Sequence, residues 1–234
     1  MNAAVTEQLS PDDIIGIKDN IEEPERETFA ASGKKPTVLT DIYQQQINIA
    51  IWQRSITKTL SNAVSQFLEA NEKFEKSITL SPSSAYADLE ELTKGTAPRA
   101  LLENMAELVD MFCCLFDLKR AGLRLAILDT AMCPRFHVDR VPCRLVTTYH
   151  GLATEWLPNH LIDRAKLGHG SLGRPDSVSG LYTREANVQQ LTAGDVALLK
   201  GERWEGNERT ALVHRSPTLL SDEKRLFLSL DFSD

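Results

Sequence analysis

The hydrophobic period of this chain changes once, near Gly122, and that change limits what it can fold into. Before it the spacing is mostly helical. Leu101, Met105, Leu108 and Phe112, then Leu115 or Phe116, recur every three to four residues after Pro98. This predicts a helix over residues 98–119, with Pro98 suited to its start and Gly122 to its end. Ile56, Leu60, Val64 and Phe67 predict another helix, from Ser55 as N-cap to about Phe74, and residues 85–95 a short one. One strand precedes them, where Ile47, Ile49 and Ile51 alternate with Asn48, Ala50 and Trp52. After Gly122 the apolar residues come in short runs at 123–128, 143–149, 188–191, 195–199, 210–214 and 225–231. Helices followed by many short strands predict an α+β fold, with a helical part over 36–120 packed on a β sandwich or barrel over 121–234.

Residues 1–35 stand apart. Eight acids against four bases, with few aromatics, leave that segment little to bury, and it is expected to be flexible. The formal net charge of -7 argues against nucleic acid or an anionic membrane as a partner. No apolar run approaches the roughly 20 residues that a bilayer-spanning helix needs. The N-terminus lacks a basic start followed by an apolar stretch, as a secretory signal would have. Four cysteines, two of them adjacent at Cys113 and Cys114 in a helical pattern, do not suggest a disulfide framework, so a reducing cytoplasm is the expected compartment. The connection over 158–187 carries Gly168, Gly170, Gly173 and Gly180 and lacks the Gly-Lys-Ser/Thr ending of a phosphate loop. It is expected to be a flexible lid.

The chemistry gathers around Met132–Arg144, which contains His137 and Asp139. Residues two apart on an extended strand face the same way. An imidazole and a carboxylate would then stand side by side, as two ligands of one metal ion require. A third ligand is offered by His214, 77 residues later at the end of an apolar run. Two histidines and a carboxylate form the facial triad of non-haem iron(II) enzymes. Eleven residues beyond His214 lies Arg225. Its planar guanidinium can hold a carboxylate through two charge-assisted hydrogen bonds.

These residues resemble the iron(II)- and 2-oxoglutarate-dependent dioxygenases, and the prolyl-hydroxylase-like branch in particular. His137-x-Asp139 is followed by Arg144, Thr148, Tyr149, Gly151, Thr154 and Pro158 in a similar order, Ala193-Gly194-Asp195 stands before the distal histidine, and His214-Arg215-Ser216-Pro217 resembles its surroundings. The resemblance covers residues 120–234. It implies a double-stranded β-helix of the cupin or jelly-roll class with the N-terminal helices packed on its outside. It implies iron(II) on His137, Asp139 and His214, and 2-oxoglutarate on Arg225, with Ser229, Lys224, Tyr149 and Arg144 as further cofactor-binding candidates. Many relatives place the base ten residues after the distal histidine, which here is Lys224. Strand alternation lets only one of Lys224 and Arg225 point inward. Over its whole length the chain also resembles a bacterial family known as domain of unknown function 1826, through Cys133-Pro134-Arg135-Phe136-His137-Val138-Asp139-Arg140-Val141-Pro142-Cys143-Arg144 and the Thr154-Glu155-Trp156-Leu157-Pro158 run.

A rival reading uses the flanking thiols. Cys133, His137 and Cys143 could bind zinc, since thiolates favour zinc over iron. The protein would then be a non-catalytic, cupin-like metal-binding protein in metal handling. The leading reading is a hydroxylase-type oxygenase acting on a small-molecule or peptide substrate.

Overall fold

The computed structural model of the protein describes residues 27–233. Most of the acidic N-terminal segment, residues 1–26, lies outside the described residues. The remainder of that segment departs from expectation: Phe29–Gly33 forms strand β1, pairing in parallel with β2 (Ile47–Trp52). Its small residues, Ala30 to Gly33, let it lie along β2 as an edge.

The helices follow their apolar spacing. In α1 (Lys58–Ala70) the residues Leu60, Ala63, Val64 and Phe67 are buried. The helix starts at Thr57, whose hydroxyl accepts from Leu60 N–H at 3.2 Å, and not at Ser55. It also stops before Phe74, because Phe74–Leu80 is strand β3. Helix α2 (Ala85–Leu92) is short, and α3 (Arg99–Phe116) is long, with Leu101, Leu102, Met105, Leu108, Val109 and Phe112 buried. Asp117 takes the left-handed conformation and ends α3 five residues before Gly122.

Seven strands form one sheet in the order β1-β2-β8-β5-β10-β4-β3, where β4 is Ala121–Leu128, β5 Cys143–His150, β8 Val196–Lys200 and β10 Arg225–Phe232. Apart from the β1/β2 pair it is antiparallel. Three strands form a second sheet, β7-β6-β9, with β6 Glu155–Leu157, β7 Gln189–Gln190 and β9 Val213–Arg215. The last helix, α4, is a single turn, Asp176–Ser179.

Alternation along the strands sorts the buried residues into separate cores. Leu226, Leu228 and Leu230 of β10 join Leu123, Leu125 and Leu145 in one cluster with the apolar faces of α1 and α3. Phe227, one residue out of phase, joins Val146, Ile49, Ile51, Ala197, Leu199 and Leu212 in a second cluster. Phe136, Leu157, Leu181, Tyr182 and Val213 make a third. The 158–187 connection therefore supplies core residues and does not stand off as a free lid. It is pinned by a bridge between Ile162 and Tyr182, and Asp163 N–H donates to Leu181 O at 2.9 Å. Among the described residues no helix is long and apolar enough to cross a membrane.

Candidate metal and anion site

His137, Asp139 and His214 each offer a ligand atom within 4.8 Å of the other two. His214 sits in the middle of β9, and His137 lies beside it on an isolated antiparallel bridge. The imidazole rings are 4.6 Å apart between centroids. Each ring has its Nδ1 against a main-chain carbonyl, His137 on Arg135 O at 2.9 Å and His214 on Leu212 O at 3.2 Å. A carbonyl only accepts, so Nδ1 carries the proton in both rings and Nε2 keeps its lone pair. Both Nε2 atoms then face the carboxylate of Asp139, at 3.8 Å for His137 and 3.4 Å for His214. Three acceptors converging on one point call for a cation between them, a shared proton in the metal-free protein or a metal ion in the loaded one. The donor set, two imidazoles and one carboxylate with no thiolate, fits iron(II).

The charges around Asp139 are arranged to keep it ionised. Arg144 donates from Nη1 to Asp139 Oδ2 at 2.9 Å and grips Asp231 with its other edge, from Nε at 2.8 Å and Nη2 at 2.9 Å. Burial works to raise the Asp139 carboxyl, but the His214 contact and the nearby Arg144 guanidinium outweigh it and hold the group at about 2. Burial, then the neighbouring His214, pushes His137 below the usual imidazole range, which favours the neutral, ligating form.

Arg225, the first residue of β10, is 2% exposed. Its Nε and Nη2 donate to Thr148 Oγ1 at 3.2 and 3.1 Å, and Nη2 also donates to Thr154 Oγ1 at 2.8 Å. The guanidinium lies 4.4 Å from the Phe227 ring centroid. Among the described residues it has no carboxylate partner, and burial alone pushes it down to about 10. The group stays charged at neutral pH. A cavity of about 440 Å³ is lined by His137, His214, Arg144, Arg225, Phe227 and Ser229, among others. The two imidazoles and the buried guanidinium thus open into one space.

The other candidates sort by strand parity. Lys224 lies just before β10, where its ammonium donates to Glu72 O at 3.4 Å, away from the cavity. Tyr149 is one residue out of phase with Thr148. It is buried in the helix-facing cluster, its hydroxyl donates to Asn104 Oδ1 at 3.0 Å, and burial pushes its phenol up to about 12. It does not line the cavity. Arg144 reaches the cavity, and its two anionic partners are Asp139 and Asp231. Ser229 lines the cavity four residues along β10 from Arg225, opposite Val146 and Arg124. Cys143 also faces the helices: it is fully buried with Leu145 and Leu198, and burial raises its thiol. Among the described residues the cluster of possible metal ligands is His137, Asp139 and His214, with neither Cys133 nor Cys143 in it. Cys133 remains at the cavity wall.

Two residues that sequence reasoning passed over prove central. Asp231 anchors Arg144, and Asp176, inside the supposed lid, accepts from Phe136 N–H at 2.7 Å. Alternation along β10 places Asp231 on the face of Arg225 and was the available signal for the first. For Asp176 no local pattern gives one.

No curated protein sequence matches the chain. Solved structures do. A candidate oxygenase from Shewanella oneidensis matches at a TM-score of 0.50 with 10% identity, over 88% of this chain and 89% of that one. A Pseudomonas putida prolyl-4-hydroxylase matches at 0.42 with 12% identity, over 85% and 98%. The dioxygenase for auxin oxidation 1 from Arabidopsis thaliana, solved as a binary complex with 2-oxoglutarate, matches at 0.45 with 9% identity, over 88% and 92%. The likeness to the Shewanella protein is one of fold. The sequence model of the family described as "Protein of unknown function (DUF1826)" matches residues 33–231, and the chain belongs to that family.

Proposed function

We propose that this protein is an iron(II)- and 2-oxoglutarate-dependent oxygenase of the hydroxylase type. In this reading the seven- and three-stranded sheets are the two sheets of a double-stranded β-helix, with the N-terminal helices on its outside. The observation that carries it is the buried guanidinium of Arg225, without an acidic partner among the described residues, opening into the cavity that His137 and His214 of the His137/Asp139/His214 cluster also line. A buried, unneutralised cation is costly unless an anion meets it.

His137, Asp139 and His214 would hold the metal, and Arg225 the distal carboxylate of 2-oxoglutarate. When bound, the metal and 2-oxoglutarate supply the oxidation of a C–H bond by dioxygen. The chain's own contribution is placement. Thr148 and Thr154 accept from Nε and Nη2, and Nη1 has no protein acceptor among the described residues, so it is available to an anion. Arg144, braced by Asp231, keeps the Asp139 carboxylate ionised and aimed at the imidazoles. The carbonyls of Arg135 and Leu212 fix both ring tautomers. Phe227 and Val146 form part of the cavity wall and keep water from the guanidinium. The substrate is a small molecule or a peptide, and the four free cysteines fit action in the cytoplasm.

The test is spectroscopic. Anaerobic addition of iron(II) and then 2-oxoglutarate should give a weak visible charge-transfer band, and 2-oxoglutarate should raise the melting temperature of the metal-loaded protein. Absence of both sinks the reading.

A further inference from the structure

The segments that carry the two imidazoles share a single anionic support. Asp176 is 8% exposed and lies in α4, within the 158–187 connection. Its Oδ2 accepts from Phe136 N–H at 2.7 Å, one residue before His137. The same carboxylate faces Arg135 Nε at 3.6 Å and Arg215 Nη1 at 3.5 Å, and Arg215 directly follows His214. Arg215 also donates to Glu155 Oε2 at 2.6 Å and lies 4.2 Å from the Phe136 ring centroid. Arg135 is further held by Ser171 Oγ at 3.0 Å and by Arg174 O, both in the same connection.

We infer that Asp176 is a positioning residue for the metal site, acting through Phe136 on His137 and through Arg215 on His214. The inference rests on the metal-binding part of the function proposed above. The physical case is that main-chain pairing sets the separation of the two histidines but leaves their segments free to shear together. A charge-assisted hydrogen bond to the residue before one ligand, and an ion pair to the residue after the other, resist that motion. Outer supports of ligands commonly change metal affinity by about 10- to 100-fold. Asp176 supports both segments from one carboxylate. This gives the 158–187 connection a definite task, as a buttress built into the site and not a cover that opens over it.

The experiment titrates the full-length protein with cobalt(II), read by its visible d–d absorption, in wild type, Asp176→Asn and Asp176→Ala. The far-ultraviolet circular dichroism and melting temperature of each metal-free protein are recorded alongside. Asn keeps an acceptor for Phe136 N–H and loses the charge facing Arg135 and Arg215. Graded weakening is expected, several-fold for Asn and about tenfold or more for Ala, with a changed d–d spectrum in both. Tyr182→Phe, which removes the hydroxyl contact to Glu185 in the same connection, should change the melting temperature at most and leave the spectrum alone. A folded Asp176→Asn protein with wild-type affinity and spectrum overturns the inference, whether or not the Ala variant folds. A wild-type protein that shows no cobalt spectrum strikes the metal reading itself.

Discussion

His137 and His214 are joined by their own main chains, each N–H donating to the other's carbonyl at 3.0 Å. In an antiparallel hydrogen-bonded pair the two side chains leave the sheet on the same face. Their separation of 77 positions in sequence therefore makes no difference to their spacing. The ligand pair is a property of strand pairing, and rotamers only refine it.

Arg225 should cost the empty protein stability. Arg225→Met keeps the length and removes the unneutralised charge. We expect the metal-free variant to resist urea better than wild type by about 1 kcal/mol. 2-Oxoglutarate is expected to raise the melting temperature of the metal-loaded wild type and not that of the variant. Lower stability of the variant, with the 2-oxoglutarate effect retained, would contradict the assignment.

Asp139 should leave a mark on the acid limb of stability. Its folded carboxyl sits at about 2 against an ordinary 3.8. The folded value is depressed, so the contribution is fully present above the unfolded value and is lost as pH falls from about 4 towards 2. The gap corresponds to about 2 kcal/mol. In the metal-free protein, Asp139→Asn should flatten the fall in urea midpoint across that window. Parallel wild-type and variant curves would show that the ionised carboxylate is not held as described.

Two glycines should separate the halves of the site. A Cβ on Gly201 would strike Val141 O and lie 2.8 Å from Asp139 O, displacing the main chain that carries the carboxylate. A Cβ on Gly151, where φ is +83°, would strike Lys224 O and lie 3.1 Å from Arg225 Cα. Gly201→Ala is expected to lower cobalt(II) affinity at least tenfold. Gly151→Ala should spare cobalt and weaken 2-oxoglutarate binding by a similar factor. Calorimetric titration of both ligands on both variants decides it, and a swapped pattern would refute the division.

Cysteine substitution should leave the metal site intact. Cys143→Ala removes a thiol on the helix side of β5, so it should lower the melting temperature by creating a small cavity while metal content by elemental analysis stays stoichiometric. Loss of metal in that variant would restore a thiolate site.

Much of this arrangement was readable in the chain. The spacing of Leu101, Met105, Leu108 and Phe112 marks α3 because a buried helix face repeats its apolar residues. Ile47–Trp52 is marked by alternation. Strand β3 was missed because it is an edge strand whose charged and hydroxyl residues, Glu75, Lys76 and Ser77, are exposed, so a helix extended to Phe74 looked equally good. Strand parity carried more than it was asked to. Arg144 and Tyr149 are five apart on one strand and must face opposite ways, so they could never have served one cofactor together. The support from Asp176 lies beyond local pattern, since it depends on how the 158–187 connection packs against Phe136 and Arg215.

Strand β10, the last in chain order among the described residues, is inserted between two that precede it, β4 and β5. Until residues 225–232 emerge, those two strands have facing edges with nothing between them, and the sheet is two separate pieces. A nascent chain short of that point carries both imidazoles and the carboxylate yet lacks the guanidinium, the brace on Arg144 at Asp231, and the hydrogen bonds that join the halves. Assembly of the whole site is thereby tied to the synthesis of residues 225–232. A proteolytic clip that removed only these eight residues would leave the His137/Asp139/His214 cluster without Arg225, Asp231 and the central strand of its sheet.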